Sequence, residues 1–197
     1  MKRSNELRML PENRVSSEAV PSSFLTPDRN PSNLLLDYEL GGVDVRDSSQ
    51  GLNVYLWKCT YEDGWVVLDN TVKKTNWLQV PNISELSLSF DFNMNPLITY
   101  VAGGQTYLNW FDSSAQGFVT TAYGSEVTSP QISLDDNRTD FSQSSDVIFA
   151  YVKDYKVWYR QQRDRYEIEY FVGEVPDGLT LVQIGMNKKY RFQFKVY

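Results

Sequence analysis

The chain has 197 residues and a net charge of −6, with aromatics at 14% of positions (13 Tyr, 10 Phe, 5 Trp), no histidine and a single cysteine. That length is enough for one domain with a sizeable core, much of it built from rings. The acidic balance argues against a general nucleic-acid binder, and the lone Cys59 excludes an internal disulfide framework and a multi-cysteine metal site. The absence of histidine removes the commonest general base and metal ligand and every Ser-His or Cys-His nucleophile.

Residues 1–42 read as an extended N-terminal arm. Pro11, Pro21, Pro27 and Pro31 forbid regular ladders, and Ser and Asn fill the space between them. Apolar residues recur along this stretch as anchors for a neighbouring surface: Leu7 and Leu10, Phe24 and Leu25, Leu34 and Leu35. A disordered tail would carry fewer. The start, "MKRSNELRMLPENR", lacks the apolar segment of a secretory signal, and no run is long enough to span a bilayer. The expectation is a soluble protein.

From residue 43 the pattern has period two, the mark of strands. "NVYLWKCT" and "WVVLD" flank Tyr61-Glu62-Asp63-Gly64, whose Asp-Gly pair is a strong hairpin signal. Next comes a four-stranded meander with strands at 85–91, 96–101, 105–111 and 117–123, the third entered through Gly103-Gly104. A second meander follows, at 131–135, 146–152, 156–161 and 166–172. "PLITYVAGGQTYLNWFD" aligns with "DVIFAYVKDYKVWYRQQ", and "GFVTTAY" with "RYEIEYF", so the two are copies of one unit. The expected fold is therefore all-β: three four-stranded antiparallel meanders in a small propeller-like or prism arrangement. Two units cover about 82–124 and 130–173, within a β-domain of 43–197. The third is shared by the hairpin at 52–70 and a C-terminal pair at 179–197 that turns at 186–189.

Enzyme signatures are thin, and no enzymatic activity, cofactor or metal is expected. Gly103-Gly104 has no following Lys-Ser/Thr and no helix, so it is no phosphate loop. Asp91, Asp135 and Asp136 end strands and read as turn formers before they read as a hydrolytic carboxylate pair. "DDNRTD" lacks the glycine and the closing glutamate of a calcium loop. Trp57, Trp110 and Trp158 hold similar places in the three units, as rings packed between sheets would. Arg160, Arg163 and Arg165 lie in the final hairpin, where Arg163-Asp164 form the turn and Arg160 comes near Glu167. That tip is either a solvated surface with an ion pair of small value or a functional surface for sugar stacking, nucleic-acid contact or a protein interface; of the functional readings the acidic balance favours the interface.

"DYELGGVDVRDSSQGLNVYLW", "LSLSFDFNMNPLITYV" and "IFAYVKDYKVWYRQQRDRYEIEYFV" together resemble a family of small virion proteins of tailed bacteriophages. The likeness covers roughly residues 35–197. It implies a structural tail component made in the host cytoplasm and located in the virion tail. Such a component would dock through its arm on other tail proteins, as a symmetric homo-oligomeric ring, and link or decorate the tail, as in fibre or tube attachment, with no membrane or specific nucleic acid as partner. The alternative is a receptor- or carbohydrate-binding module of the tail. No catalytic signature accompanies the resemblance.

Overall fold

The computed structural model describes residues 37–47, 51–69, 73–91, 93, 95–135, 146–186 and 192–197. The anchors Leu7, Leu10, Phe24, Leu25, Leu34 and Leu35, together with Asp136 and the expected turn at 187–189, lie outside the described residues. The described chain is built of antiparallel strands in four sheets. The first holds β1 (Asp37–Asp47), β2 (Gly51–Glu62), β3 (Trp65–Asp69) and β4 (Lys74–Gln79). The second holds β5 (Ile83–Phe90), β6 (Pro96–Ala102), β7 (Gln105–Asp112) and β8 (Gly117–Gly124). The third holds β9 (Thr128–Leu134), β10 (Val147–Lys153), β11 (Lys156–Gln161) and β12 (Tyr170–Glu174), and the last is the pair β13 (Leu181–Met186) and β14 (Phe192–Val196).

Each four-stranded sheet is a meander whose central hairpin turns on two residues of positive φ. These are Asp63 and Gly64 (49° and 84°), Gly103 and Gly104 (58° and 74°), and Asp154 and Tyr155 (51° and 57°). Left-handed backbone at both positions matches the twist of antiparallel strands, which is why such turns favour glycine. Three sheets thus share one plan, closed by different residues.

Two expectations are corrected. Residues 37–42 are not part of an arm: they form the first half of β1 and pair with β2 from Asp37↔Thr60 to Gly42↔Tyr55. Nor do the termini share a unit. β2 and β3 already have β1 and β4 on their outer sides, which leaves no edge for the C-terminal pair, so β13 and β14 form a sheet of their own.

The sheets stack face to face. Cys59, Val66 and Leu68 of the first sheet meet Leu86, Leu88 and Ile98 of the second in one apolar layer. Leu108 and Trp110 of the second meet Ile132, Phe149 and Tyr151 of the third in another. Ile148, Ala150 and Val157 then cover Leu181 and Ile184 of the last pair. Along one side the leading strands adjoin in turn, β1 beside β5, β5 beside β9 and β9 beside β13. Side chains bridge these seams. Ile132 N–H donates to Ser87 Oγ at 3.3 Å, and Thr106 Oγ1 to the Val127 carbonyl at 2.5 Å. Ser129 and Thr180 share a hydroxyl–hydroxyl bond, and Trp77 Nε1–H reaches Asn109 Oδ1 at 3.1 Å.

Glu85 sits on β5 beside this packing, and burial raises its carboxyl above its ordinary value. The fold therefore favours the protonated acid, and ionisation at higher pH works against it. Glu85→Gln is expected to raise the thermal midpoint at pH 7. The gain should shrink as pH falls through the raised folded-state value and vanish below the ordinary carboxylate value of about 4.3. Melting curves across that interval check the sign.

Candidate functional site

Beyond β11 the chain departs from its expected course. Gln162–Asp164 make a single 3-10 turn, and Arg165 and Tyr166 follow in left-handed conformation (φ 53° and 58°). Tyr166 N–H bonds back to the Gln161 carbonyl and Glu167 N–H to the Asp164 carbonyl, each at 3.0 Å. The last strand therefore begins at Tyr170, not at residue 166. Two left-handed residues cannot continue a ladder, and Tyr166 is used instead as a wedge.

Its ring is only 2% exposed. It meets Trp110 edge-on at 5.1 Å and Phe149 at 6.4 Å, between the second and third sheets. Burial first, and then the charge of Asp146, push its phenol well above the usual value. Its hydroxyl has no hydrogen-bond partner.

Three arginines hold this wedge. Arg160 donates from Nε to Tyr151 Oη (2.8 Å), and from Nη1 to the carbonyls of Tyr166 (2.8 Å) and Glu167 (2.9 Å). Its Nη2 lies 3.3 Å from Glu169, and its guanidinium stands 5.2 Å over the Tyr123 ring. The Tyr151 hydroxyl also donates to Glu169, and Lys153 approaches that carboxylate at 3.5 Å. Burial disfavours a charge on Glu169, yet the Tyr151 hydrogen bond and the two cations hold its carboxyl below the ordinary value. Burial raises the Tyr123 phenol to about 12, against the opposing charge of Arg160.

Arg163 binds buried Asp146 twice, through its backbone N–H (3.1 Å) and Nε (2.6 Å), and comes within 3.8 Å of Asp135. Arg165 donates to buried Asp112 at 2.7 Å and to Ser114 Oγ at 3.3 Å, and Gln162 reaches Asp91 at 3.4 Å. The loop is thus tied to turns of both flanking sheets. Arg160 meets the Glu167 carbonyl rather than its carboxylate, and its ion pair is with Glu169. All three arginines thus donate to other groups of the same chain, although Arg163 and Arg165 keep half-exposed side chains.

The strand-end aspartates act as turn formers. Asp91 accepts from the N–H groups of Asn93 (2.9 Å) and Asn95 (2.8 Å), and Asp112 from Ser114 N–H (2.8 Å). Among the described residues no group of three or more His, Cys, Asp or Glu can hold a metal ion. The tryptophans belong to the apolar layers. Trp110 is 5% exposed, and the half-buried Trp57 and Trp158 keep buried, unpartnered indole N–H groups.

The surface feature that sequence reading missed lies on β12. Of seven exposed large apolar side chains among the described residues, four fall between residues 168 and 179, on this strand and its flanks. Phe171 (54%) and Val172 (38%) are on it, Ile168 (51%) precedes it by two residues and Leu179 (42%) follows it in sequence, and Tyr155 (71%) lies beyond its far end, where Val175 N–H bonds the Tyr155 carbonyl. β12 pairs with β11 on one side and with no described strand on the other. The signal was the unbroken apolar pair Phe171-Val172 on the last strand of a meander.

Tyr166 supplies a direct test. Tyr166→Ala is expected to cost about 3–5 kcal/mol, as for other buried rings. Tyr166→Phe removes only an unpaired buried hydroxyl, and is expected to be neutral or to stabilise by up to about 1–3 kcal/mol. Urea unfolding measures both; a loss on Tyr166→Phe comparable to that of Tyr166→Ala would contradict the wedge geometry.

Comparison with models of known protein families, with characterised proteins and with solved structures returns no match.

Proposed function

We propose that the chain is a non-enzymatic structural component of a bacteriophage tail, docking on neighbouring tail subunits and linking or decorating the tail. The observation that carries this reading is the pair of exposed apolar residues, Phe171 and Val172, on the edge strand β12. Monomeric proteins seldom leave an apolar edge uncovered, and edge strands of this kind are sites of protein association. The polar loop beside it is spent on holding two sheets together, so specificity falls to the edge and to the terminal segment 1–36. In this reading the four stacked sheets, adjoining along β1, β5, β9 and β13, are blades of a small propeller-like body, and β13–β14 is an incomplete blade. Copies arranged on a symmetric tail ring would present equivalent edges.

The sugar-binding alternative is less well supported. Trp110 and most of Trp158 lie inside apolar layers. The most exposed aromatic among the described residues, Tyr155, has Gly104 in its place in the sister hairpin, so this exposed ring does not repeat there.

The test is made on particles. Virions purified through a density gradient are expected to contain the chain in a fixed copy number per tail, and Val172→Asp is expected to fold yet be depleted from them. Absence of the wild-type chain from purified particles would overturn the proposal.

A further inference from the structure

We propose that the outer edge of β12 receives, as an added strand, residues 6–10 of a second copy of this chain, a run set within its basic N-terminal stretch 2–14. The inference rests on the docking reading above and names its partner.

Main-chain geometry comes first. β12 offers five residues whose outward N–H and C=O groups pair with no described strand. A sheet edge of this kind takes an extended peptide by continuing the ladder, with side-chain pockets setting the choice. In "NELRMLP", Leu7 and Met9 fall on one side of an extended strand and Arg8 and Leu10 on the other, and Pro11, having no N–H, ends the ladder after Leu10. The run from Glu6 to Leu10 thus matches the five residues of β12 in length, and the side that carries Leu7 and Met9 suits the exposed Phe171.

Charge points the same way. Residues 166–187 contain Glu167, Glu169, Glu174 and Asp177 and no Lys or Arg. Glu169 is already engaged by Arg160 and Lys153, but Glu167, Glu174 and Asp177 are exposed around β12. The 2–14 segment carries Lys2, Arg3, Arg8 and Arg14 against Glu6 and Glu12. An apolar, acidic-rimmed edge and an apolar, basic segment are complementary, and the attraction between them falls with salt.

The test needs only the purified full chain and is independent of any particle. Sedimentation velocity at tens of micromolar protein and low salt is expected to show self-association of the wild type. It should be lost on deletion of residues 2–11, which removes the donor, and in Val172→Pro, which blocks the receiving edge. Mixing the two variants is expected to restore a one-to-one complex, since the Pro variant brings an intact segment and the deletion variant an intact edge. A monomeric wild type, undiminished association after the deletion, or a mixture of folded variants that stays monomeric would each overturn the proposal. Should circular dichroism show Val172→Pro unfolded, the exposed double variant Glu167→Lys/Glu174→Lys replaces it. About a tenfold or greater loss of affinity at low salt is then expected, and unchanged affinity overturns the proposal. Virions lacking the chain would remove the tail assignment and leave this result standing.

Discussion

Leu97 and Ile98 are neighbours in β6, both fully buried, and they point into different apolar layers. The same division runs along β10, where Val147, Phe149 and Tyr151 face the second sheet while Ile148 and Ala150 face the C-terminal pair. A sheet that is apolar on both faces cannot stand with one face in water: each exposed layer would forfeit about 25 cal/mol for every Å² left uncovered. The stack is therefore the smallest arrangement in which the middle sheets are satisfied. Faces are consumed by packing, and only edges, turns and the outermost surfaces remain for recognition.

Polar groups are placed to serve that stack. Ser87, Thr99, Thr106 and Asn109 are buried yet hydrogen-bonded, several of them across the seams between sheets. The arginine loop extends the principle. Its individual ion pairs with partly exposed partners are each of small value. Their geometry nevertheless directs Tyr166 into the layer between two sheets while Asp91, Asp112 and Asp146 receive its neighbours. Where one meander turns through Asp112-Ser113-Ser114, its copy carries this loop, and the two interlock through Arg165 and Asp112.

Much of the fold was legible because strand alternation and two-residue turns are local signals. The meanders at β5–β8 and β9–β12 follow from them, as does the placement of Trp110 in the core. What escaped was set by pairing at a distance. β1 includes Gly41 and Gly42, which weaken a strand's own preference, and it exists because β2 is long enough to pair with all of it. β4, "KTNWLQ", has few β-formers and is held by β3 and by the Trp77–Asn109 bond. Tyr166 read as a strand residue because its neighbours alternate; only the interior of the folded chain makes a wedge of it. The C-terminal pair resembled half of a missing sheet, and the missing half turned out to be already complete.

The central claim is that the four-stranded sheets hold one another up. Native-state hydrogen exchange measures this most directly. The amides of β6 and β10, in two different sheets but each packed on both faces, are expected to exchange with a common free energy equal to that of global unfolding, and to fall together as denaturant is added. If β9–β12 exchanged through its own opening, at much lower free energy and with β6 still protected, the sheets would be independent units and the account would be wrong.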